Sequence, residues 1–98
     1  MAGYVISEEC RHLLDAILPT FNYDRLADIR GAIEKTIITE KGDASAGRVY
    51  SLYLSIIAFL ERYQFGHSVD YVFMIDKKGE DLKNSGSLRA YEEKEGLN

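Results

Sequence analysis

The chain has 98 residues, 46% apolar and 29% charged, with 16 acidic against 12 basic side chains and a formal net charge of -4. This is the composition of a globular protein and excludes intrinsic disorder. The acidic balance argues against a general phosphate-backbone binder, which needs a surplus of lysine and arginine on one face.

A chain this short fits one domain. Its single cysteine, Cys10, cannot form an internal disulfide, which points to a reducing compartment and a cytoplasmic location. The opening residues MAGYVISEECRH lack the basic start and apolar run of a secretory signal. The apolar run Ile56 to Leu60 falls far short of the roughly 20 residues of a membrane span.

In chain order, Ser7 followed by Glu8 and Glu9 predicts a helix start, with a hydroxyl to cap it and carboxylates in its positive first turn. Cys10, Leu13, Leu14, Ile17 and Leu18 then recur at steps of three and four, the face of one helix. Pro19 ends it. Asn22 or Asp24 is the expected cap of a second helix with the stripe Leu26, Ile29, Ile33 and Ile37, closed by Lys41 and Gly42. Gly31 inside it is unfavourable by about 1 kcal/mol relative to alanine, so either another backbone approaches there or the defect is tolerated.

Residues 48–67, RVYSLYLSIIAFLERYQFGH, predict a third helix capped by Asp43 or Ser45 and stopped by Gly66. Arg48, Ser51, Ser55, Ala58 and Arg62 form a narrow polar or small stripe on it, and nearly everything else is apolar. A helix apolar over most of its circumference needs cover over most of its circumference. What the first two helices leave bare must meet a C-terminal sheet, a second copy of the chain or another protein. Tyr50, Tyr53 and Tyr63 suit an interface, since each buries a ring and keeps a hydroxyl, although they fit an ordinary half-buried core equally well. The candidate interface set is Arg48, Tyr50, Tyr53, Leu54, Ile57 and Tyr63.

Val69 to Ile75 is rich in β-branched and aromatic residues and predicts a strand. Residues 76–80 supply hairpin-turn chemistry, with Gly79 at its bend and a weak return strand from Asp81 to Ser85, although residues 69–85 also admit a helix. Gly3 to Ile6 is the candidate third strand, because two strands alone are marginal. Residues 87–98 read as a charged tail, a short helix or a disordered segment, outside a single globular domain spanning 1–86. The expected fold is α+β, mainly α: a three-helix core with a long central third helix and a short C-terminal hairpin.

Motifs for chemistry are sparse. Glu8, His12 and Asp15 can share a helix face, but zinc sites draw three or four ligands into tetrahedral geometry and no second histidine is near. Cys10 lies on the apolar stripe and reads as a small buried hydrophobe. The chain holds no phosphate-cradle or nucleophile-elbow motif. Arg62-Tyr63-Gln64-Phe65-Gly66-His67 resembles the R-x4-6-H motif of HEPN ribonucleases, over six residues of the 98 and with Tyr63 where that family usually carries a polar residue. The resemblance implies a helical protein that cuts RNA at a dimer interface, His67 moving protons and Arg62 stabilising phosphorane charge.

The sequence therefore leads to an expectation of non-enzymatic binding, of regulatory, inhibitory or adaptor type, through a protein interface and with self-association. Neither metal nor cofactor nor membrane is expected, and nucleic acid is a poor candidate partner. One alternative is a HEPN-like nuclease using Arg62 and His67. Another is a sensor that holds an anionic ligand in a dimer cleft lined by tyrosines and arginines.

Overall fold

Local signals set the helix starts. In the computed structural model, which describes residues 3–70 and 72–96, the Ser7 hydroxyl accepts a hydrogen bond from the Cys10 amide and opens α1 (Glu8–Ile17). Cys10, Leu13, Leu14 and Ile17 are buried along it, and Pro19 falls in a single 3-10 turn, Leu18–Thr20. The next helix, α2 (Ile29–Lys41), starts later than Asn22 or Asp24 would place it. Its cap is Asp28, whose carboxylate accepts from the Gly31 amide at 3.0 Å. Asn22 to Arg25 instead form a turn, with Asp24 at φ 59°, that leads into a two-residue strand, β1 (Leu26–Ala27). Leu26 therefore stands exposed, off the stripe expected of it, while Ile29, Ile33 and Ile37 are buried. Gly31 makes room for the Asp28 carboxylate rather than for a second backbone.

Gly42 adopts a left-handed φ of 80° and ends α2. Ser45 caps α3 (Ala46–Arg62), its hydroxyl accepting from the Arg48 amide at 3.2 Å. That helix ends at Arg62 rather than at Gly66, and Gln64 takes the positive φ of the reversal. Gly66 opens a strand, where a Cβ would collide with the Phe73 ring.

The sheet departs most from expectation. The stretch Val69 to Ile75 is split by a reversal after Asp70, giving β2 (Gly66–Val69) and β3 (Val72–Ile75), with Val69 opposite Val72 and Gly66 opposite Ile75. Residue 71, inside the expected strand, lies outside the described residues, as do 97 and 98 of the expected tail. β1 supplies the third strand, pairing Leu26 with Met74 and Ala27 with Phe73, so the antiparallel order is β1-β3-β2. Gly3 to Ile6 adds no strand. Tyr4 there packs its ring 4.4 Å from that of Tyr63 and 5.6 Å from that of Phe59. Residues 77–85, expected to hold a turn and return strand, form helix α4 (Lys77–Ser85), which buries Leu82 and sets Lys77 near Glu80 and Asp81 on adjacent turns. Gly79 is needed because a Cβ there would strike the carbonyl oxygen of Phe65. Among the described residues the fold is thus α+β, mainly α, with five helices and one small sheet.

The last helix, α5 (Leu88–Lys94), docks rather than trails: Leu88, Tyr91 and Glu92 are buried, and the Leu88 amide donates to the Asp15 carboxylate at 2.8 Å. Burial and then the Glu95 carboxylate push the Tyr91 hydroxyl up to about 12. The Glu92 side chain is only 2% exposed. Its carboxylate accepts from the Arg11 guanidinium at 2.6 Å and from the Tyr4 amide at 2.6 Å, and Arg11 also donates to the Tyr4 carbonyl at 3.1 Å. Among the described residues no fully buried side-chain nitrogen or oxygen lacks a hydrogen-bond partner, the condition under which a buried charge is tolerated.

The Arg11 guanidinium, with the Tyr4 amide, holds Glu92 below its ordinary 4.5 against the opposing effect of burial. The unfolded chain therefore takes up this proton more readily than the folded one. The stabilisation is complete above pH 4.5 and is lost as the pH falls through the lower folded value. Urea midpoints of the natural chain and of Glu92→Gln should differ most above that pH and converge in acid. A difference independent of pH would show that the carboxylate contributes through shape alone.

Candidate functional site

The apolar circumference of α3 is covered mostly from within the chain. Val49, Leu52, Ile56, Phe59 and Leu60 are buried, and the stripe Arg48, Ser51, Ser55, Ala58 and Arg62 is exposed. Of the large apolar side chains on this helix, Tyr50 and Leu54 are exposed. Both border a groove of about 670 Å³ between β1, the start of α2, the middle of α3 and the β2–β3 hairpin. Leu26, Arg30, Asp70 and Val72 complete its rim, with Phe73 and Ile29 among the buried residues beneath it. The Arg30 guanidinium lies 5.5 Å from the centre of the Tyr50 ring, within cation–π range, and the Tyr53 ring is 6.2 Å from that of Tyr50.

Of the six candidate interface residues, Tyr50, Tyr53 and Leu54 are thus brought together around this groove. Arg48 is exposed beyond its lining, with its guanidinium engaged by the Glu9 carboxylate. Ile57 is buried in the core. Tyr63 is half-buried near the far end of α3, against Tyr4 and Phe59, and borders a smaller depression of about 360 Å³ with Cys10 and Arg62. Leu26, Arg30, Asp70 and Val72 were not legible as site residues, because their juxtaposition with α3 is made by strand pairing. A two-residue strand such as β1 carries no periodicity to find it by.

Arg62 and His67 occupy different elements. The Arg62 guanidinium stands 5.6 Å from the centre of the Tyr63 ring at the end of α3. His67 is on β2, opposite Met74, with Nδ1 2.8 Å from the Asp76 carboxylate, so it does not extend the helix that carries Arg62. Two of the trio on α1 have partners elsewhere: His12 Nε2 lies 2.8 Å from Glu40 on α2, and Asp15 accepts from the Leu88 amide. Among the described residues, no group of three or more His, Cys, Asp or Glu side chains is placed to hold a metal ion. No helix among them is long and apolar enough to cross a membrane.

The connectivity around the groove has a recognisable logic. α2 and α3 are joined by the four residues 42–45, a helix-turn-helix connectivity with Gly42 at its start, and a hairpin follows. The charges around it are mixed. The exposed face of α3 carries Arg48, already engaged by Glu9, and Glu61 beside Arg62, while the hairpin brings Asp70. No protein-family model, curated protein or solved structure matches this chain.

Since Arg62 and His67 each have a local partner, Arg62→Ala and His67→Ala should each lower stability by at most about 1 kcal/mol, the scale of exposed ion pairs and helix-end charges. Neither the natural chain nor the variants should cleave single-stranded RNA. Cleavage that falls about 100-fold or more in either variant, with the melting temperature unchanged, would establish a nuclease.

Proposed function

We propose that this chain is a non-catalytic protein-binding module of regulatory, inhibitory or adaptor type, cytoplasmic, whose contact surface is the groove between α3 and the β2–β3 hairpin. The observation that carries the reading is where the exposed apolar side chains lie. Eight large ones are exposed among the described residues, and four of them, Leu26, Tyr50, Leu54 and Val72, line this one groove. Apolar side chains scattered singly need no explanation, whereas a cluster on a concave surface rimmed by polar groups marks a place where another molecule sits. Tyrosine and arginine on its rim are the residue types that interface centres favour. A protein partner, a second copy of this chain among them, suits such a surface. Cys10, buried and unpaired with any other cysteine, fits a reducing setting.

A second reading, duplex DNA along α3, draws on the helix-turn-helix connectivity. Affinity for the phosphate backbone comes from lysine and arginine releasing counterions, and a net charge of -4 with Asp28, Asp70 and Glu61 near the same surface works against it.

A photo-crosslinking side chain at position 54 should capture protein in cells of the native host, and the same group at exposed Glu34, on α2, should not. Random-sequence duplex DNA should remain unbound at concentrations up to about 100 µM in low salt, the weak end of ordinary non-specific affinity. Equal capture at both positions would remove the groove from the reading. Binding of the duplex with steep salt dependence would replace a protein partner with DNA.

A further inference from the structure

The strand register divides the sheet residues between two faces. Leu26 and His67 both stand opposite Met74, and Val72, two residues before Met74, stands opposite Val69, so these five side chains share one face. Gly66, Ala27, Phe73 and Ile75 belong to the other face and are buried against the helices. On the first face Leu26 is 60% exposed, Val72 43% and Val69 42%, with Met74 half-buried and His67 exposed. An antiparallel sheet with one side in water alternates apolar-in with polar-out. Here four of the five outward positions are apolar, and none carries a lysine, arginine or carboxylate. The pattern is that of a sheet covered on both sides, and within one chain only one side is.

Area and charge bear on what covers the other. The exposed fractions come to on the order of 300 Å² of apolar surface, against the roughly 800 Å² that a standard interface removes from each partner, somewhat over half of it apolar. The face thus supplies most of the apolar part of a small, reversible protein contact. Discrimination among foreign proteins rests largely on charges set into the contact surface, and this face has none to offer. Its one titratable side chain, His67, is engaged by Asp76 at 2.8 Å. For the same reason the face meets its own image without setting like charges together. In an isologous pair the same patch serves both partners, and two sheets stack face to face about 10 Å apart with their side chains interdigitated.

We propose that the outward face of the sheet is a homodimer contact, in which two copies stack their sheets about a two-fold axis with Leu26, Val69, Val72 and Met74 filling the space between them. This surface is separate from the groove: Leu26 and Val72 border both, whereas Val69 and Met74 lie outside the groove lining and Leu54 lies off the sheet.

Sedimentation of the full chain tests it. The mass should rise from near 11.1 kDa at about 5 µM toward twice that value at about 500 µM, the behaviour of an interface below standard size. Val69→Asp should keep the protein monomeric throughout that range. Should Val69→Asp lower the melting temperature, Val69→Thr, which keeps the β-branch, decides instead: it should raise the dissociation constant at least about threefold, since one hydroxyl enters an apolar contact. Leu54→Asp, in the groove, should leave the dimer as it is. Raising the salt should hold or tighten the dimer, because each copy carries a net charge of -4 and the contact itself carries no ion pair. A monomer at every concentration would overturn the proposal, as would a dimer indifferent to both Val69 variants, one abolished by Leu54→Asp, or one that salt dissociates. Capture from position 54 tests the groove by itself: a dimer lost in Val69→Asp with no capture at 54 would keep this contact and remove the groove, and a monomer with capture at 54 would do the reverse.

Discussion

Glu92 sits where three separate parts of the chain meet, and much of the molecule's shape depends on its being an ionised carboxylate inside the protein. It faces Arg11 on the first helix and the backbone of Tyr4 in the segment before it, and it is carried by the last helix. Without that carboxylate, the guanidinium would be left partly buried and uncompensated, which is more unfavourable than the pair is favourable. With it in place, Tyr4 is fixed against Tyr63, Phe59 and Phe65, and Lys78 closes the same cluster by donating to the Tyr63 carbonyl at 2.7 Å and standing 4.7 Å from the centre of the Phe65 ring. One end of α3 is covered in this way by aromatic rings from elsewhere in the chain. The middle of α3 has no such cover over Tyr50 and Leu54, and the groove is what remains.

Features that act over four residues were legible in the sequence. Ser7 and Ser45 cap the helices expected of them, Gly42 ends α2 in the left-handed conformation, and the polar stripe from Arg48 to Arg62 faces outward as its spacing requires. Pairings made across long distances were not. Leu26 continues the helical period of Ile29, Ile33 and Ile37, yet it belongs to a strand, because the edge of β3 was open to pairing and Asp28 offered a cap one residue before Ile29. The apolar run after Gly66 reads as one strand because the reversal after Asp70 has no glycine or proline to mark it; Asp70 itself adopts the positive φ. α4 holds one buried leucine among nine mostly polar residues, too little periodicity to outweigh a glycine that looks like a turn. In α5, the carboxylate that anchors the helix is indistinguishable in the sequence from the solvated Glu93 beside it.

The same division runs through the candidate site. Tyr50, Tyr53 and Leu54 could be chosen from α3 because the helix is too apolar for its neighbours in sequence to cover. Nothing local separates them from Ile57, which the core takes, or from Tyr63, which the N-terminal segment shields. The opposite wall comes from β1, the first turn of α2 and the hairpin, and its residues come together only once β1 has paired with β3.

The link between Arg11 and Glu92 spans 81 positions of the chain. A contact closing so large a loop is entropically unfavourable until most of the intervening structure exists, so it belongs to the last stages of folding, after the helices and hairpin have gathered around Ile56 and Phe65. An interaction absent from the transition state acts on the way out of the native state and hardly on the way in. On this account the buried carboxylate bears on how long the folded protein lasts more than on how fast it forms.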